Sequence, residues 1–69
     1  MYRTDCDKLK NAIDKKGYSM QDIASDIGID RATLYRRIKN NALRISDIQK
    51  IAEKLSLTGE EAKNIFLAT

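Results

Sequence analysis

The sequence predicts an all-α fold of five short helices, and three observations carry that prediction. Apolar residues recur three and four positions apart along almost the whole chain, the period of a helix with one buried face. Oxygen-bearing side chains stand repeatedly three positions before a residue able to reach back, the signature of a capped helix start. No proline interrupts the chain, and nowhere do apolar and polar residues alternate over a strand's length.

The first helix is expected over 5–16, opened by Thr4 with Asp7, with Cys6, Leu9 and Ile13 on its inner face. Gly17 ends it, because glycine takes the left-handed turn conformation cheaply. The second spans 19–27, opened by Ser19 with Asp22 and turned inward through Ile23 and Ile27. Gly28 closes it. Asp30 is the cap expected for a third helix over 31–39, where a carboxylate also suits the positive end of the helix dipole. Leu34 and Ile38 are its inner residues, and Asn40-Asn41 punctuates its end. The fourth helix is placed at 47–56, with Ile48, Ile51, Ala52 and Leu55 at helical spacing. The fifth is placed at 59–67, with Ala62 and Ile65 inward. Their starts, Ser46 with Gln49 and Thr58 with Glu61, fit the stricter capping-box pattern. Phe66 and Leu67 follow Ile65 in successive directions that one thin domain cannot all bury. Both are therefore expected at the surface, as a contact between two copies of the chain or as a frayed end.

Composition narrows the function. A chain of 69 residues is expected to be one domain, 1–69, with a small core. One cysteine and no histidine exclude a disulfide framework and leave too few soft ligands for a zinc site, so neither metal nor cofactor is expected. Cys6 reads best as a small packed hydrophobe. No apolar run approaches the ~18 residues of a membrane span, and the start Met1-Tyr2-Arg3-Thr4-Asp5 lacks the apolar stretch of a signal peptide. A cytosolic protein is the expectation. There is no glycine-rich phosphate loop and no histidine base. The acidic neighbours Asp5 with Asp7 and Glu60 with Glu61 suit first helical turns rather than a catalytic carboxylate pair. No enzyme activity is expected.

The net charge of +3 is unevenly placed. Residues 30–44 hold Arg31, Arg36, Arg37, Lys39 and Arg44 against Asp30 alone, while the eight basic and nine acidic side chains elsewhere nearly cancel. Such a patch suits a polyanion; a solvated basic face on an ordinary bundle helix is the plainer alternative. Residues 19–39 decide between them. Two helices crossing steeply after a tight turn need a small residue where they touch, here Ala24, and a residue free to take positive φ, here Gly28. They also need apolar inner faces, supplied by Ile23, Ile27, Ile29, Leu34 and Ile38. This is the helix-turn-helix spacing, whose second helix enters the major groove of DNA.

On these residues the chain resembles the Cro/CI-type repressors of phages and the related XRE regulators of bacteria. The alanine and glycine of their pattern fall on Ala24 and Gly28, with Ile29 and Leu34 in their inner places. The five-helix order and the stretch from Ile45 to Thr58 extend the likeness over nearly the whole chain. One position departs: where that family places an apolar residue three after Leu34, this chain has Arg37. The run Arg31–Ile38 is closer to the recognition helices of Fis-type regulators and resolvases.

The resemblance implies a lambda-repressor-like, sequence-specific binder of duplex DNA, a small repressor of phage or prophage type. With Leu34 inward, a helical wheel turns Ala32, Arg36 and Lys39 outward and Tyr35 to one flank. Arg31, Ala32, Thr33, Tyr35 and Arg36 are the candidate base readers, with Arg36 first, because arginine bonds bidentately to guanine and small methyls meet the thymine methyl. Ser19, Gln21, Arg37, Lys39, Asn40, Asn41 and Arg44 are the candidate phosphate contacts. Arg37, near the buried side, reaches a phosphate by snorkelling or else pairs with a carboxylate. The expected partner is an operator built as an inverted repeat, bound by a weak homodimer or a dimer completed on DNA through Phe66 and Leu67. The competing reading is a protein–protein adaptor, an antitoxin or antirepressor module on the same fold; RNA binding is a third.

Overall fold

The structure, a computed structural model, describes residues Tyr2–Thr69. Five helices follow in order: α1 (Cys6–Lys15), α2 (Met20–Ile27), α3 (Arg31–Lys39), α4 (Ile45–Lys54) and α5 (Gly59–Phe66). Among the described residues the only β pairing is one isolated antiparallel bridge, Arg3 with Ala68. No helix among the described residues is long and apolar enough to cross a membrane.

The helix starts are set by short side chains binding backbone N–H groups that the first turn leaves free. Ser19 with Asp22 and Thr58 with Glu61 form complete capping boxes, each side chain accepting from the other residue's backbone N–H. Asp30 caps α3 by accepting from the Thr33 N–H at 2.7 Å. Two starts differ from the sequence expectation. Asp5 caps α1, accepting from the Lys8 N–H at 3.1 Å, because the Thr4 backbone is drawn away to donate to Asn41 Oδ1 at 3.3 Å. In α4, Ser46 lies inside the first turn. The Asp47 carboxylate reaches back to the Arg44 N–H at 3.1 Å and starts the helix two residues early. A guanidinium has no acceptor to return that bond, so α4 has half of a box.

Four helices end alike. The N–H five residues on bonds back across the last turn, and the residue before it takes positive φ. These bonds are Tyr18 to the Ile13 carbonyl, Ile29 to Ala24, Ala42 to Arg37 and Leu57 to Ala52. The left-handed residues are Gly17, Gly28, Asn41 and Ser56, with φ of 80°, 90°, 54° and 51°. Of these, Ser56 carries no sequence signal that marks it.

Leu9, Ile13, Ile23, Leu34, Ile51 and Leu55 are fully buried and form the centre of the core, with Ala24 closed in among them. Each large side chain stabilises the fold by about 1.5–3 kcal/mol through burial. α2 packs on both α3 and α4, while α5 packs on α1. Cys6 is half-buried against this core, as its place in the helical pattern suggested.

The end of the chain corrects one expectation. Ile65 and Phe66 are both buried, and Leu67 alone is exposed. The physical reason is the segment preceding α1. Arg3 and Ala68 exchange two backbone hydrogen bonds of 2.8 and 2.9 Å, and the Asp5 N–H donates to the Ile65 carbonyl at 2.7 Å. With α1 along one side of α5 and this segment across its end, two successive directions are covered. Phe66 is a core residue and offers no surface to a second copy.

Candidate nucleic-acid interface

The turn between α2 and α3 is built from both ends. Gly28, at φ 90°, donates to the Ser25 carbonyl at 3.1 Å while Ile29 donates to Ala24 at 3.0 Å, so α2 stops within one residue. A Cβ on Gly28 would meet nothing within 4 Å, so the position needs glycine for its backbone conformation alone. Two residues later Asp30 opens α3. Ala24 is completely buried beside Ile23 and Leu34, and its small side chain lets the helices approach.

That packing fixes which face α3 shows. Leu34 and Ile38 point into the core, and Thr33, Tyr35 and Arg37 are half-buried. Arg31, Ala32, Arg36 and Lys39 are exposed. The outward strip is therefore cationic with one methyl between. The one acid beside it, Asp30, is occupied as a cap. Hydrogen bonds from the Thr33 hydroxyl and backbone N–H hold its carboxyl below the ordinary value. Arg36 Nη2 donates to Thr33 Oγ1 at 3.2 Å. The Arg31 guanidinium lies over the Tyr35 ring, 5.7 Å from its centre.

The candidate phosphate residues divide. Ser19 and Gln21 are exposed at the N-terminus of α2, and Lys39, Asn40 and Arg44 are exposed along and after α3. The Ser19 hydroxyl oxygen accepts from the Asp22 N–H at 3.2 Å. Hydrogen bonding from the Ser19 backbone, then its hydroxyl, lowers the Asp22 carboxyl. Asn41 is placed differently. Its carboxamide accepts from the Thr4 N–H and donates to the Tyr2 carbonyl at 2.9 Å, tying the end of α3 to the start of the chain.

Arg37 takes the second of its two expected roles. Its Nη1 lies 3.3 Å from Asp47 Oδ2, and Asp47 is the one buried charged residue among those described. The arginine that stands at an apolar place is thus met by a carboxylate from α4. The same carboxylate caps Arg44, so one buried group fixes the end of α3, the 40–44 loop and the start of α4.

Three participants went unmarked in the sequence. Asp47 is ten residues from Arg37, beyond any helical spacing, although its place three after Arg44 is the spacing of a reach-back cap. Lys10 brings its ammonium 5.5 Å from the Tyr35 ring, a contact between helices. Ile45 is three-quarters exposed at the first position of α4, beside the basic loop.

Residues 9–61, most of the chain and all of the α2–α3 unit, match the helix-turn-helix family model. No curated protein and no solved structure matches the chain.

Proposed function

The chain belongs to the helix-turn-helix family, of the XRE, Cro/CI-like kind that binds DNA to regulate transcription, and from that premise we propose that it is a small phage- or prophage-type repressor. The observation that carries this reading is the division of α3. Leu34 and Ile38 are committed to the core, while Arg31, Ala32, Arg36 and Lys39 share the exposed side. α3 lies in the major groove, with Arg31 and Arg36 on guanine edges and Ala32 and the Thr33 methyl against thymine methyls. Ser19, Gln21, Lys39, Asn40 and Arg44 hold the flanking phosphates, and counterion release from them supplies the non-specific affinity. Arg37 and Asn41 bond to other groups of the chain, and those partners support a role in shaping the surface.

One recognition helix reads too few base pairs to stand out among genomic competitors. Two copies on an inverted repeat, their helices about 34 Å apart, meet that need. With Phe66 buried, the exposed apolar side chain left at this end for such a contact is Leu67. Occupancy of a promoter then blocks transcription.

The test is mobility of a duplex selected from a randomised library, compared with random duplex and single-stranded RNA at two salt concentrations. Arg36→Ala is expected to cost roughly 1–3 kcal/mol on the selected duplex and little on random DNA. Equal losses on both make Arg36 a phosphate contact. No shift with any duplex returns the fold to the adaptor reading.

A further inference from the structure

Tyr35 differs from the exposed residues assigned to the reading surface, Arg31, Ala32 and Arg36. It is half-buried, packs against the hydrophobic core, and faces the groove between α1 and α3 rather than the open side of α3. Two cations lie against its ring: the Arg31 guanidinium at 5.7 Å and the Lys10 ammonium at 5.5 Å from the centre. Both are within the range of a cation–π attraction.

Arg31 has a particular need for such a partner. It is the first residue of α3, where the helix dipole is positive and a cation is disfavoured. Among the described residues no carboxylate pairs with it; the ion pairs are Arg37 with Asp47 and Lys54 with Asp26. The difference between a ring and a carboxylate decides what Arg31 can then do. A carboxylate binds a guanidinium through its N–H edge and uses up the donors that would meet a base. An aromatic face attracts the cation without taking a hydrogen bond, so the five N–H donors stay free. Lys10, arriving from α1, adds a second cation at the same ring and links its position to the body of the protein.

We propose that Tyr35 is a positioning residue: its ring holds Arg31 at the start of α3 with the guanidinium edge free, and so sets the base preference at the position Arg31 reads. The inference rests on the DNA-binding reading above and moves Tyr35 from base contact to support. The phenol oxygen has no part in it.

Two measurements test the assignment together. In the free protein, the ring should shift the Arg31 side-chain protons upfield in NMR spectra; Tyr35→Phe keeps that shift and Tyr35→Leu abolishes it. On the selected duplex, Tyr35→Phe binds within twofold of the parent. Tyr35→Leu, which keeps apolar bulk against the core, loses roughly two- to fivefold, the range of one exposed cation–π contact. It also relaxes base preference at one position. In an Arg31→Ala background Tyr35→Leu has no further effect, a silence that a merely structural role would not produce. The proposal fails if Tyr35→Leu costs as much in that background as in the parent. It also fails if Tyr35→Phe loses as much as Tyr35→Leu, which would restore a direct contact by the hydroxyl. An intact ring shift with a sequence-selective protein whose preference ignores Arg31 removes this inference and leaves DNA binding standing. An intact ring shift with no sequence recovered from the library removes the DNA reading, and this one with it.

Discussion

The α2–α3 unit and the seam where the chain's two ends meet are held by opposite means. In the unit, Ile23, Ala24 and Leu34 are completely buried, and both helix starts are capped within three residues. In the seam, Arg3 and Ala68 meet through backbone hydrogen bonds, and the Asn41 carboxamide holds Tyr2 and Thr4 through bonds exposed to solvent. Burial removes apolar surface from water and is lost only when the core opens, whereas exposed hydrogen bonds trade evenly with water. The surface proposed to meet DNA therefore rests on the part of the molecule least able to open locally. The seam is the part expected to open first.

The largest expected effects test that contrast directly. Leu34→Ala removes a side chain at the centre of the core and is expected to cost about 2–5 kcal/mol, much of the stability of so small a domain. Asn41→Ala removes two exposed hydrogen bonds and is expected to cost about 1 kcal/mol. Urea denaturation compares the two, and amide exchange at Arg3 and Ala68 should quicken in Asn41→Ala while that of Leu34 stays slow. Equal losses of stability, or exchange quickened throughout, would mean that the seam and the unit open as one.

Asp47 ties α3 to the 40–44 loop, which carries Asn41, so its removal ranks next. Asp47→Ala leaves Arg37 without its partner and the Arg44 N–H without its cap, at an expected cost of about 1–3 kcal/mol in the same denaturation. A cost near zero would place the 40–44 loop under the control of the seam instead.

These regions also differ in how far they could be read from the sequence. Ser19 with Asp22, Asp30 with Thr33, and Gly28 act on neighbours three to five residues away, and local spacing is what a sequence displays. The order of five helices, the turn and the inner faces of α2 and α3 follow from such spacings. The bridge from Arg3 to Ala68, the hold of Asn41 on the chain's start and the pair Arg37–Asp47 join residues that share no helical period. Their partners are set by how the helices pack. Phe66 shows the consequence: its neighbours along the chain suggest exposure, and a segment from the other end of the chain covers it. Tyr35 lies between these cases, since its flank position is visible on a wheel but the Lys10 beside it belongs to α1.

Positive-φ positions give a smaller and more local comparison. Gly28 and Ser56 close α2 and α4 with the same bond pair, yet only one of them is glycine. A side chain at Gly28 meets no neighbour, so Gly28→Ala is expected to cost only the left-handed conformation, about 1–2 kcal/mol. Ser56→Gly relieves the corresponding strain at φ 51° and is expected to stabilise by up to about 1 kcal/mol. If both changes destabilise equally, the turn after α2 demands more than backbone freedom.

The smallest expected effect is that of acid on the helix starts. Hydrogen bonds from Ser19 lower the Asp22 carboxyl, those from Thr33 lower Asp30, and those from Thr58 lower Glu61, from ordinary values of 3.8 for the aspartates and 4.5 for Glu61. A carboxyl lowered on folding binds a proton more readily in the unfolded chain. Its stabilisation is therefore complete above the unfolded value and disappears as pH falls through the lowered folded value. Two of these groups cap α2 and α3, and the third caps α5, so acid weakens these three helix starts. Asp30→Asn keeps an equally good cap but removes the titration. Its disadvantage against the parent should be present at pH 6 and shrink to nothing as pH drops well below the ordinary aspartate value. Urea midpoints measured at both ends of that range check the direction. A disadvantage that persists unchanged in acid would mean that Asp30 acts through its shape, and the charge at the start of α3 would have no part in holding the recognition helix.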